Sequence, residues 1–304
     1  NYNKFMSTAL TRGYAVAVMW APGAVNILLV MNVTGVRWVD IFPVGFAVSI
    51  LGLGISYCLQ KKYLSKVPFN KETCLRINAA AYEIKAKQEA LRKVLNIVFL
   101  VIVLIVLIFS FDVIGIGDNT SRVMLAGLLL VSIWLFTLRN EKNFKKAVDE
   151  YFDVSLVKTI DLAILYVALG IFSKALETSE VLEKILPYVT LLSDQNPMTI
   201  IPVIILSIIA LAMFGLHPFV VIIILGQVLM SSSLPLDPRV IALTLLFGSM
   251  LSYMLSPFAG MVLTTAKFLN VSIYDVGVKW NGLFGIILFL IGSGIIILYQ
   301  LYGV

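Results

Sequence analysis

Charge is scarce in this chain of 304 residues: Asp, Glu, Lys and Arg make up 13%, while 60% of the residues are hydrophobic. Soluble domains run about 25% charged and about 45–50% apolar, so a water-soluble globular fold is excluded. Cysteine is nearly missing too. Cys58 ends an apolar run and Cys74 lies in a basic segment, with no metal or redox spacing between them, which excludes a disulfide framework. A single histidine, His217, cannot build an H-E-x-x-H zinc site. The apolar runs also lack the every-second-residue alternation of a membrane β-barrel.

What remains is length and hydropathy. The mean hydropathy is +0.98, and several runs approach the roughly 20 residues that a helix needs to cross hydrocarbon. Backbone amides must be paired inside lipid, which leaves helices. The sequence therefore predicts an all-α polytopic membrane protein with spans near 9–31, 41–60, 94–114, 122–138, 159–176, 199–216, 218–232, 240–265 and 282–302. The segment 61–93 carries nine Lys and Arg against Glu72, Glu83 and Glu89, an excess that equals the net charge of +6 for the whole chain. Basic loops stay in the cytoplasm, so 61–93 is expected inside an inner, multi-pass cell membrane, as is 139–158, while the acidic 177–198 falls outside. Within the basic loop, Glu83 with Lys87 and Glu89 with Lys93 predict an amphipathic helix over about 72–93, read as a linker between two halves or as a site for anionic lipid.

Laying residues 10–40 over 245–275 at a constant offset of 235 pairs Leu10 with Leu245, Gly13 with Gly248, Pro22 with Pro257, Ala24 with Ala259, Leu28 with Leu263, Val36 with Val271 and Asp40 with Asp275. Each copy is followed by a further apolar span. By the count of crossings, 41–60 and its counterpart 282–302 run in opposite directions, so the repeat is expected to be inverted, as in secondary transporters. This divides the chain into 1–60, the end of a first inverted repeat; 61–93, the basic loop; 94–158, two linking helices and a loop; and 159–304, a second repeat with a hairpin-like 199–232 and an interrupted helix over 240–265. Asn1-Tyr2-Asn3-Lys4 shows no signal peptide, and the offset would start the first repeat about 75 residues before Asn1; the chain reads as a fragment truncated at its N-terminus.

Trp20-Ala21-Pro22-Gly23-Ala24-Val25-Asn26 and Leu255-Ser256-Pro257-Phe258-Ala259-Gly260 lie in mid-span. Proline removes an amide donor and clashes with the carbonyl one turn back, so both helices are expected to break there. Opened carbonyls can hold a cation, and the amides of the next half-helix can hold an anion. The candidate binding residues are Pro22, Gly23, Asn26, Ser256, Pro257, Gly260, Thr264 and Thr265, with His217 as a ninth. His217 is either the tip of a re-entrant hairpin beside that site or the cap of a helix that begins with Pro218. Asp40 and Asp275 are expected as N-caps of the following spans, and Arg12 as a snorkelling cation, with coupling carboxylates and an anion anchor as the sharper alternatives.

The paired breaks, the hairpin-like 199–232 and the basic central loop resemble the ion-transporter superfamily, the inverted-repeat carriers of citrate, dicarboxylates and arsenite. The Ser-Asn-Thr signatures of its dicarboxylate branch are missing. The resemblance implies transport of a small organic or inorganic anion coupled to Na+ or H+, often by a homodimer. No other cofactor, no metal and no nucleic acid are expected, and the partners are the anion and the lipid bilayer. Two other classes compete: an exporter or flippase of amphipathic molecules, and a non-transporting scaffold or sensor. Asp112 and Asp118 echo the motifs of intramembrane aspartyl proteases but share one turn, where two catalytic carboxylates from separate helices cannot be assembled, so no enzyme is expected.

Overall fold

The computed structural model describes residues 2–64, 84–137, 197–232 and 234–303, with isolated positions between 146 and 178. The expected span 159–176 and most of the loops 139–158 and 177–198 lie outside the described residues. Among those described, the chain is helical and no strand occurs. Among the described residues, four stretches are long and apolar enough to cross a membrane: Trp38–Lys61, Leu91–Ile114, Pro238–Leu269 and Asp275–Tyr302. The chain divides into two compact units, one formed by 1–64 with 159–304 and the other by 65–158.

The larger unit contains α1 (Tyr2–Ala17), α2 (Val25–Thr34), α3 (Trp38–Leu64), α6 (Ile200–Met213), α7 (Pro218–Ser231), α8 (Pro238–Leu255), α9 (Gly260–Leu269) and α10 (Trp280–Tyr302). Local chemistry sets the ends. His217 and Asp237 cap α7 and α8, each followed by a proline in the first turn, where its missing amide costs nothing. α2 stops at Gly35 (φ 69°) and α9 at Asn270 (φ 52°), both left-handed, a conformation reserved for glycine and a few residues such as asparagine. α2 and α9 each have ten residues. Their starts, and their left-handed ends, are separated by the repeat offset.

α8 is the centre of this unit. Its residues from Val240 to Met254 are buried without a gap, on apolar faces of α6, α7 and α10. Neighbouring helices run antiparallel. Along α1 and α3, Thr8 meets Gln60 and Val16 meets Ser49. Along α8 and α10, Phe247 lies on Gly292 and Leu255 on Gly285. α1 and α9 also run oppositely, since Asn3 reaches the Leu269 carbonyl while Val18 packs with Ala259 and Val262. So do α3 and α10, where Gly52 faces Leu288 and Ser56 shares a partner with Asn281.

The smaller unit holds α4 (Ile84–Ile114) and α5 (Asn119–Thr137). The expected helix over 72–93 is not separate in its described part: no proline or glycine falls between Ile84 and Ile114, and the helix runs unbroken into the span. Residues 65–83 lie outside the described ones. At the α4–α5 turn, Arg122 pairs with Asp112 and donates to the Ile116 carbonyl at 3.0 Å, while Ser121 donates to Asp118. Both carboxylates of the protease-like motif are thus engaged in holding a turn.

Candidate functional site

The two interruptions sit against one another. α1 ends at Ala17, and the backbone passes through Trp20-Ala21-Pro22-Gly23-Ala24 before α2 begins. α8 ends at Leu255 and α9 begins at Gly260, four residues of turn around Pro257. Val18, at the first interruption, shares a buried apolar cluster with Tyr253, Ala259 and Val262 around the second, and with Phe219 and Ile223 of α7. Val25 and Leu29 of α2 pack on that cluster.

A polar clasp crosses this contact. Asn26, 3% exposed, donates through Nδ2 to Ser249 Oγ at 2.8 Å, and its Oδ1 accepts from the Tyr253 hydroxyl at 3.0 Å. Ser256 is equally committed: its hydroxyl donates to the Ala212 carbonyl at 2.7 Å and accepts from the Phe258 amide at 3.1 Å. That pair ties the end of α6 to the second interruption. A cavity of about 50 Å³ remains between the α6–α7 turn and the α8–α9 turn, lined by His217, Tyr253, Ser256, Phe258, Ala259 and Gly260 among others. It is room for one or two water-sized particles, since a water takes about 30 Å³.

His217 caps α7 with Nδ1, which accepts from the Phe219 amide at 3.3 Å, and it lines this cavity as well. The bond needs Nδ1 unprotonated, so the neutral imidazole has its proton on Nε2, free to act as a donor. The cap reading of His217 matches its hydrogen bond, and the turn that carries it lies beside the second interruption. The cavity thus gathers His217, Ser256 and Gly260, and Tyr253 links it to Asn26. Pro22, Gly23, Pro257, Thr264 and Thr265 do not line it: Pro22 and Thr265 are buried, Gly23 and Thr264 exposed, and Pro257 half-buried.

Three expectations change. The carbonyls opened by the first interruption are not all free for a cation, because Trp38 Nε1 donates to the Trp20 carbonyl at 3.0 Å and Ser49 to that of Val16 at 2.7 Å. Asp40 and Asp275 are not N-caps. α3 begins two residues earlier, at Trp38, so Asp40 lies in its first turn and pairs with Arg37 at 2.7 Å; Asp275 opens a π turn over Asp275–Lys279 and pairs with Lys279 at 3.0 Å. Acids in a first turn are favoured by the helix dipole without capping it. Arg12 does not snorkel: it is 4% exposed and donates to Asn281 Oδ1 and the Trp280 carbonyl, both at 2.9 Å. Tyr253, Ser249 and Asn281 escaped the sequence reading. Asn281 stood one residue before the expected span 282–302, so its burial gave no signal in the sequence.

Gly23 and Gly260, near the two prolines, have ordinary negative φ, and a Cβ on either would meet nothing within 4 Å. The breaks are therefore made by the prolines and by tertiary packing. No family model, curated protein or solved structure matches the chain.

Proposed function

We propose that this protein is a secondary carrier that moves a small organic or inorganic anion across a cell membrane by alternating access, driven by a Na+ or H+ gradient, and that it is built from two inverted copies of an interrupted-helix motif in the manner of the ion-transporter superfamily. The observation that carries the proposal is the pair of ten-residue half-helices, α2 and α9, that start at equivalent positions around one shared apolar cluster. Their N-caps are Ala24 and Ala259, and neither gives a side-chain hydrogen bond to the first turn. Alanine is among the poorest caps, which leaves amides and a partial positive charge available to an anion.

The contact pattern supports inversion. The first half-helix of each copy packs on the second half-helix of the other, α1 on α9 and α8 on α2, while α3 lies along α10. These pairs run antiparallel, as copies related by an axis in the membrane plane must. α6 and α7 have 14 residues each, about 21 Å of helix, short of the roughly 30 Å hydrocarbon core. That favours a re-entrant hairpin with His217 near mid-membrane over two full crossings.

The side chains around the cavity are neutral: Asn26, Ser249, Tyr253, Ser256 and His217. The described carboxylates of the larger unit, Asp40, Asp237 and Asp275, stand in the first turn of α3, at the cap of α8 and at the start of the π turn before α10. This favours an anion over a cation as cargo, and Na+ held by neutral oxygens over H+ on a carboxylate. Purified protein in proteoliposomes decides the matter. Small carboxylates and inorganic oxyanions are offered under a Na+ gradient, a pH gradient or neither; uptake that follows one gradient is expected. Folded protein that moves no anion under any of the three ends the proposal.

A further inference from the structure

One end of the core and its middle are closed by opposite chemistry. At the end where α3 leaves the apolar span through Gln60, Lys61 and Lys62, Arg12 donates to Asn281 Oδ1 and the Trp280 carbonyl at 2.9 Å and to Ser56 Oγ at 3.4 Å, with its guanidinium 4.5 Å above the Phe284 ring. Asn281 Nδ2 in turn donates to Thr11 Oγ1 and to the Val276 carbonyl, both at 2.9 Å. Val276 belongs to the π turn, a locally underwound segment of a kind frequent at functional sites. The position equivalent to Arg12 in the second copy, 235 residues on, is Phe247. It is 0% exposed and packed so closely on Gly292 that a Cβ there would collide with its ring. Asn281 and Gly292 are eleven residues apart on α10, about 16 Å.

We propose that Arg12 and Asn281 are positioning residues of a releasable gate at the Lys61 end, and that the Phe247–Gly292 contact, halfway along α8 and α10, is the tighter closure beyond it. Hydrogen bonds between neutral groups and a guanidinium can be exchanged for bonds to water at small net cost, whereas opening a close-packed aromatic contact exposes apolar surface. In the absence of substrate, the polar end is therefore the one that opens.

The inference rests on the carrier proposal for its purpose, but its test does not need transport. In a Cys58→Ser, Cys74→Ser background, single cysteines are introduced at Ser7→Cys or Ala242→Cys, equivalent positions in the two copies that are both 0% exposed. The Ser7 hydroxyl has no hydrogen-bond partner, so the thiol gives up no bond. Labelling by a membrane-impermeant maleimide is then followed in vesicles of each orientation. Arg12→Gln and Asn281→Ala are each expected to raise the labelling rate at position 7 about fivefold, from the Lys61 side, and to leave position 242 unchanged. Ser56→Ala, which removes the 3.4 Å Arg12 bond and leaves those to Asn281 and Trp280, should give a smaller rise in the same direction and serves if the stronger variants do not fold. No rise at position 7, or an equal rise at both positions, overturns the gate. A one-sided rise in protein that moves no anion keeps the gate and removes the carrier proposal; transport without the rise does the reverse.

Discussion

Gly260 separates a binding role from a structural one more cleanly than any other residue of the cavity. It is exposed, has a negative φ, begins α9, and has no atom within 4 Å of where a Cβ would stand. Gly260→Ala should therefore leave the fold intact and raise stability by about 0.4–1 kcal/mol through the unfolded chain. If an anion docks on the amides of the α9 terminus, the same methyl group intrudes on it and transport falls. Thermal unfolding together with uptake is the measurement, and a stabler protein with unchanged uptake would remove the α9 terminus from the site. Asp237 offers a test of a different kind. Its carboxylate accepts from the Arg239 amide at 2.7 Å and pairs with the Arg239 side chain at 2.9 Å. The side-chain bond from Arg239 is the main cause that holds this carboxyl below its ordinary range, with partial burial opposing it. The folded form thus binds a proton less readily than the unfolded chain, so the stabilisation is complete above the ordinary carboxylate range near pH 4 and is lost as pH falls through it toward the lower folded value. Asp237→Ala should cost about 1 kcal/mol at neutral pH, and Asp237→Asn should keep most of the cap while removing that acid-side loss. Melting curves between pH 3 and pH 7 read both.

At the scale of helices, the closest approaches are made at glycines that meet a partner's bulk. Gly292 accepts the Phe247 ring, Gly248 admits Ile208 of α6, and Gly45 lies on the Met19 carbonyl at the first interruption. Gly292→Ala should push α10 from α8 and destabilise the protein by about 1–3 kcal/mol, the usual cost of overpacking, whereas Gly54→Ala on the neighbouring α3, with nothing within 4 Å, should raise stability by about 0.4–1 kcal/mol; melting temperatures of the two variants compare them directly. Helix positions were legible in the sequence because lipid leaves few options. Apolar runs announced the starts of α6, α7, α8 and α10 to within two residues, and the Pro218 and Pro238 entries mark theirs by chemistry. The pairing of Gly13 with Gly248 was legible only as a letter. Gly248 is under pressure from Ile208 and Gly13 meets nothing within 4 Å, so the shared residue has two different surroundings. The Asn26–Tyr253 and Arg12–Asn281 bonds were not legible at all, since each joins residues more than 220 positions apart and no local pattern encodes which face of one helix meets which face of another.

For the whole molecule, the direction of each copy decides what it can do, because two halves that rock about a shared centre expose it alternately only if they are upside down with respect to one another. The antiparallel run of α3 along α10 turns this into a prediction about sidedness. Ser56, four residues before Gln60, and Asn281, two residues after Lys279, both hold Arg12. Lys61 and Lys279 should therefore reach the same face of the membrane. The opposite ends of the same helices, Arg37 and Tyr302, should reach the other. All four residues are exposed, so single cysteines at these positions disturb no core contact. Impermeant labelling in oriented vesicles should divide them two and two, with Lys61→Cys and Lys279→Cys protected whenever Arg37→Cys and Tyr302→Cys react. From the excess of basic residues after Lys61, that first face is expected to be the cytoplasmic one. A division that grouped Lys61 with Tyr302 would mean that the two copies point the same way. The matched half-helices would then be an ordinary duplication with no alternating geometry, and gradient-driven transport would lose its structural basis.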